Sequence, residues 1–129
     1  MDSMDNINLT NSEWYVLDCL WEKSPLTVME LVAALKNRMG WAKSTTITTL
    51  RRMEDKGLLL CSVQGRAKHY APAVQKDQAV RGETRSFLNK VYRGSVGLMV
   101  SALAEDKALS RAEIDELYEI LRKAEEGEL

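Results

Sequence analysis

The sequence predicts a mainly α fold with two domains. Three helices closed by a short β-hairpin form a winged helix-turn-helix, and a helical C-terminal region follows. Three observations predict this. A hydroxyl residue stands three positions before a glutamate at Thr10/Glu13, Thr27/Glu30 and Ser110/Glu113, the spacing of a capping box that satisfies orphan N–H groups at a helix start. The apolar period is helical up to Lys56, turns strand-like at Leu58–Val63, and becomes helical again after Pro72. Turn residues fall where the period changes.

The first helix is predicted from about Asn11 to Glu22, with Trp14, Leu17, Leu20 and Trp21 on one apolar face and Ser24-Pro25 beyond its end. The second runs from about Val28 to Met39. It buries Leu31, Val32 and Leu35 and closes at Gly40. The third runs from about Lys43 to Lys56, with Ile47, Leu50 and Met53 as its inward face and Gly57 as its stop. Apolar pairs bracket the three capped starts as staples: Leu9 with Trp14, Leu26 with Leu31, and Leu109 with Ile114. Leu58–Val63 and Arg66–Ala71 are the two hairpin strands around a Gln64-Gly65 turn. That register sets Leu60 opposite His69, with Cys61 diagonal to it.

After Pro72, Asp77–Tyr92 is a long amphipathic helix carrying Val80, Phe87, Leu88 and Val91. A break is expected around Ser95, between Gly94 and Gly97. Val96–Ala104 is a short apolar segment, and Arg111 to about Ala124 is the last helix, presenting Ile114, Leu117, Tyr118 and Leu121. We place the domain boundary after residue 73, giving a winged-helix domain over residues 1–73 and a helical domain over residues 74–129. Three short helices cover one another poorly, so twofold association is expected to bury Phe87, Leu88, Val91, Leu98, Met99, Leu103, Ile114, Leu117 and Leu121.

Composition excludes several function classes. The chain has 129 residues, 18 Lys and Arg against 19 Asp and Glu, one His and two Cys. Those counts leave no disulfide framework, Cys-rich zinc module or catalytic His pair. His69 and Cys61 are too few for a closed metal site, and no nucleophile–base pair, phosphate loop or cofactor motif is present, so no enzyme is expected. No apolar run reaches the ~18–20 residues of a membrane span. Met1–Asn8 carries two Asp and no Lys or Arg, the wrong charge for a secretory leader. A cytoplasmic protein with reduced thiols, not inserted in a membrane, is expected.

The near-neutral total hides an asymmetry. From Arg38 to Tyr70 seven cations face two anions, a net of +5, whereas Val74–Leu129 has nine cations and eleven anions, a net of −2. A local basic patch suits a polyanion. Within it, Thr45, Thr46, Thr48 and Thr49 are poor helix formers. Short hydroxyls and methyls can approach base edges, and Arg can grip guanine bidentately. The candidates for base readout are therefore Ser44, Thr45, Thr48 and Arg52. Those for phosphate contact are Lys43, Arg51, Arg66 and Lys68. The plainer reading is a solvated helix whose Thr hydroxyls bond back to carbonyls four residues earlier.

The ordered set Leu9-Thr10-Asn11-Ser12-Glu13-Trp14, Leu17, Leu20-Trp21, Ser44 to Leu58, Arg66-Ala67, Tyr70-Ala71-Pro72, Ser86-Phe87-Leu88-Asn89 and Leu109 to Leu117 resembles the BlaI/MecI penicillinase-repressor family, over about Leu9 to Lys123. The resemblance implies a homodimeric repressor of β-lactam-resistance genes that binds palindromic double-stranded operator DNA. It also implies derepression by a sensor-linked protease cutting within the dimerisation region, near Ser101-Ala102. Where the family has Asn followed by a bulky aromatic, this chain has Ser-Ala. The copper-responsive CopY branch carries a C-terminal Cys-x-Cys that this chain lacks, which argues against copper sensing. Two other classes remain open at this level: a winged-helix regulator answering to a small molecule, and a winged-helix protein–protein adaptor.

Overall fold

A computed structural model describes residues 8–129; the first seven residues of the acidic Met1–Asn8 segment lie outside the described residues. The order is α1 (Asn11–Glu22), β1 (Leu26–Thr27), α2 (Val28–Met39), α3 (Lys43–Asp55), β2 (Leu59–Gln64), β3 (Ala67–Pro72), α4 (Lys76–Tyr92), α5 (Val96–Glu105) and α6 (Arg111–Glu125). All three capping boxes form. Thr10, Thr27 and Ser110 accept from the N–H groups of Glu13, Glu30 and Glu113, and each carboxylate accepts from its cap's N–H at 2.9 Å.

The N-terminal core gathers Val16, Leu17, Leu20, Leu31, Leu35, Leu50, Met53, Leu58, Leu59 and Tyr70. Two faces differ from expectation. In α1 the buried set is Glu13, Val16, Leu17, Cys19 and Leu20. Trp14 and Trp21 sit half-buried at its edge, packed edge-to-face at 5.3 Å, because the Trp21 indole N–H donates to the Val74 carbonyl at 2.9 Å and holds the ring at the rim. In α3 the buried set is Thr46, Thr49, Leu50 and Met53, and Ile47 is half-buried. Threonine is small enough to let α3 approach the core closely, whereas the Ile47 side chain turns toward the sheet.

Helix α3 stops one residue earlier than expected, with Lys56 as its cap. Gly57 (φ +75°) supplies the left-handed residue. Its N–H donates to the Glu54 carbonyl and the Leu58 N–H to the Met53 carbonyl, at 3.0 and 2.9 Å. This is the bond pair of a Schellman motif, with buried Leu58 and Met53 as its apolar clasp.

The sheet has three antiparallel strands in the order β1-β3-β2. β1 is an element the sequence did not reveal: Leu26 and Thr27 pair with Tyr70 and His69, and two residues are too few for a period. The hairpin register also departs from expectation. Gln64 pairs with Ala67, so the two-residue loop is Gly65-Arg66 rather than Gln64-Gly65. Gly65 has φ +66°, the conformation demanded of the first loop residue in a Gly-led hairpin. Leu60 therefore faces Ala71, Cys61 faces Tyr70, and His69 faces Ser62. The His69 Nδ1 lies 3.3 Å from the Ala67 carbonyl.

Two compact units emerge, Met1–Thr84 and Arg85–Leu129. Val74 and Ala79 belong to the first unit's core, so the first unit extends past residue 73 into α4. In the second unit α5 is capped by Ser95, whose hydroxyl accepts from the Leu98 N–H. Among the described residues none after Thr84 is buried. Phe87, Val91, Leu98, Leu103 and Leu121 are exposed, and Leu88, Met99, Ile114 and Leu117 are half-buried. Among the described residues no helix is long and apolar enough to cross a membrane.

Candidate nucleic-acid interface

The exposed side of α3 follows from its buried side. With Thr46, Thr49, Leu50 and Met53 inward and ~100° per residue, Ser44, Thr48, Arg51 and Asp55 form the stripe pointing directly away from the core. Thr45 and Arg52 flank it on the α1 side, and Ile47 and Glu54 on the sheet side. Lys43, Ser44, Thr45, Thr48, Arg51, Arg52 and Asp55 are all exposed. The four base-readout candidates thus share one surface, and Arg51 is on its midline. Asp55, an anion on that midline, is a feature the residue-type argument did not single out.

The four threonines divide. Thr45 and Thr48 are exposed. Thr46 and Thr49 are buried. The Thr49 hydroxyl donates to the Thr45 carbonyl at 2.8 Å, the back-bonding expected of a structural threonine. Among the described residues the buried Thr46 hydroxyl has no hydrogen-bond partner. Half of the threonine signal is therefore packing.

Ion pairs sort the cations further. Arg38 pairs with Glu22. The Lys56 ammonium reaches both Glu13 oxygens at 2.8 and 2.7 Å, and Lys68 lies 3.8 Å from Glu54. Among the described residues Lys43, Arg51, Arg52 and Arg66 make no ion pair. Three of these lie on α3 and the fourth at the hairpin tip, so within the basic segment Arg38–Tyr70 the cations without an ion pair sit on the helix and the wing.

Two contacts hold that surface in place, and both were invisible in sequence because their partners are distant. Glu13, 3 % exposed, is pushed up by burial but brought below the ordinary carboxylate value by Lys56 and by the Thr10 cap. It ties the start of α1 to the end of α3. The Tyr70 hydroxyl donates to Glu54 at 2.7 Å, tying β3 to α3. Burial first, then the Glu54 carboxylate, pushes the Tyr70 phenol well up, so it stays a donor. On the wing, Leu60 and Val63 are exposed beside Cys61. Cys19 is buried, and burial pushes its thiol up.

The model of the family described as "Penicillinase repressor" matches residues 9–123. The chain belongs to the penicillinase-repressor family. It is 31 % identical over 115 residues to the penicillinase repressor of Bacillus licheniformis, covering 89 % of this chain and 90 % of that protein. It is 27 % identical over 122 residues to the methicillin resistance regulatory protein MecI of Staphylococcus aureus, covering 93 % and 99 %. Among solved structures, the DNA-binding domain of the repressor BlaI aligns with a TM-score of 0.51 at 26 % identity, covering 60 % of this chain and 93 % of that one. The Bacillus licheniformis BlaI monomer in complex with the blaP half-operator aligns with a TM-score of 0.51 at 25 % identity, covering 57 % and 89 %. The penicillinase-repressor fold is thus a winged helix, with α2 and α3 as the helix pair and β2–β3 as the wing.

Proposed function

We propose that the chain is a homodimeric transcriptional repressor of β-lactam-resistance genes that binds palindromic operator DNA and is released by proteolysis in its C-terminal region. The observation that carries the DNA-binding role is the exposed face of α3, where Lys43, Arg51 and Arg52 are free of ion pairs among the described residues and Ser44, Thr45 and Thr48 stand between them. In this reading α3 enters the major groove. Ser44, Thr45, Thr48 and Arg52 read base edges, while Lys43, Arg51, Arg66 and Lys68 meet phosphates. A related BlaI monomer has been solved with a half-operator, which supports the same use of this fold here.

The exposed apolar side chains of α4, α5 and α6 support dimerisation, since Phe87, Val91, Leu98, Leu103 and Leu121 each gain by leaving water. Two subunits would set half-sites about one helical turn, or a multiple, apart. Ser101 is exposed and Ala102 half-buried within α5. Cleavage there requires α5 to open locally. A second reading, a regulator answering to a small molecule, draws on an apolar groove of about 630 Å³ between α5 and α6, lined by Val100, Leu109, Ile114, Leu117 and Leu121.

Footprinting on the DNA upstream of the chain's own gene, in cells with and without a cell-wall antibiotic, tests the proposal. A twofold-symmetric footprint that disappears together with the intact chain supports it. A footprint lost without cleavage supports the small-molecule reading. No footprint on any duplex overturns both.

A further inference from the structure

We propose that Glu54 is a specificity-determining residue of the DNA face: a built-in counterion that holds Lys68 until a phosphate replaces it and so restrains binding to DNA of arbitrary sequence. The proposal rests on the DNA-binding reading above. A notch of about 190 Å³ lies between α3 and the root of the wing, lined by Val28, Ile47, Leu50, Arg51, Glu54, Lys68 and Tyr70. Two cations and one anion meet there, at the edge of the surface offered to a polyanion.

The geometry divides the two oxygens of Glu54 between two tasks. Oε1 accepts the Tyr70 hydroxyl at 2.7 Å, which anchors the carboxylate. Oε2 faces the Lys68 ammonium at 3.8 Å, close enough for attraction and too far for a hydrogen bond. Glu54 is 30 % exposed and Lys68 53 % exposed. A contact so long and so wet is cheap to break. Lys68 can therefore swing from Glu54 to a phosphate while Tyr70 keeps Glu54 in place. Two effects follow. The carboxylate weakens the sequence-independent attraction that governs non-specific binding. It also keeps Lys68 oriented from the root of the wing, which favours the complex in which the phosphate lies in the one correct register. The Tyr70 bond alone does not require a charge, since an amide oxygen also accepts, though more weakly.

The test measures binding of the full chain to two fluorescent duplexes, an operator recovered by in-vitro selection and a scrambled version of it, between about 50 and 200 mM salt. Variants are Glu54→Gln, Glu54→Met, Lys68→Met and the Glu54→Gln/Lys68→Met double. With Glu54→Gln the scrambled duplex is expected to bind about two- to fivefold tighter with a steeper salt slope, and the operator to change less, so that the specificity ratio falls. Glu54→Met must move the scrambled duplex the same way even if it melts earlier. In the Lys68→Met background the Glu54→Gln gain must vanish. An unchanged or weaker affinity for the scrambled duplex in both Glu54 variants, an equal gain on both duplexes, or a gain that survives Lys68→Met overturns the proposal. If the wild-type chain binds neither duplex, the DNA-binding reading itself fails.

Discussion

Removing the Lys56 ammonium while leaving Glu13 in place is expected to destabilise the N-terminal unit. Glu13 is 3 % exposed, and both of its oxygens are bonded to Lys56. In Lys56→Met its carboxylate keeps only the Thr10 N–H. Breaking a fully buried pair from one side costs about 3–5 kcal/mol. Lys56 is 44 % exposed, so water screens the attraction and the expected loss is about 1–3 kcal/mol. Glu13→Gln preserves the capping box, because Gln serves at that position, and loses about 1 kcal/mol. The double variant holds no stranded charge, so its loss falls short of the sum by about 1–2 kcal/mol. Urea unfolding followed by tryptophan fluorescence measures this directly, since Trp14, Trp21 and Trp41 all lie before Thr84. Single losses that add within about 0.3 kcal/mol would mean that the two side chains do not interact. The pair also sets an acid limit. The folded Glu13 carboxyl titrates below its ordinary value of 4.5. Its contribution is therefore complete above that value and lost as pH falls through the lowered folded pKa. Glu13→Gln should show a shallower loss over that range.

Thr46→Val, which removes a buried hydroxyl without a partner among the described residues, should leave stability unchanged or raise it by about 1 kcal/mol, whereas Thr49→Val, which breaks the bond to the Thr45 carbonyl, should lower it by about 1 kcal/mol; equal urea midpoints for the two would contradict the division of the threonines. Gly65→Ala should cost about 1–2 kcal/mol in the same assay through its positive φ alone, since nothing lies within 4 Å of the added Cβ, and Gly65→Asn should cost less. Leu98→Asp, placed on an exposed apolar face of α5, should shift sedimentation toward the monomer while leaving tryptophan-detected unfolding of the first unit unchanged; a dimer of undiminished affinity would exclude Leu98 from the interface.

What was legible in the sequence was whatever is local. Capping boxes join residues three positions apart, and all three were found with their bonds in place. The helices and the hairpin followed from apolar period and from turn residues, and the family motifs lie along one continuous stretch. What was missed depends on distance or size. β1 has two residues and therefore no period. The hairpin loop slipped by one residue because Gln64-Gly65 and Gly65-Arg66 both contain the required glycine, and only the pairing decides between them. The inward face of α3 was misjudged at Ile47 because a scale of apolarity ranks isoleucine above threonine, while close helix packing favours the smaller side chain. The Glu13–Lys56 and Tyr70–Glu54 contacts join residues 43 and 16 positions apart. Charge counting placed seven cations in the basic segment. Folding neutralises Arg38 and Lys56 and loosely engages Lys68, which leaves a sharper candidate surface than composition alone defines.

If the exposed face of α3 reads sequence, Arg52 discriminates the operator from other duplexes. The most direct measurement is the affinity of wild type and Arg52→Ala for a selected operator and its scrambled counterpart at fixed salt. A loss of about 1–3 kcal/mol is expected on the operator and a much smaller loss on the scrambled duplex. Equal losses on both would contradict it, reducing Arg52 to a contact with the phosphate backbone.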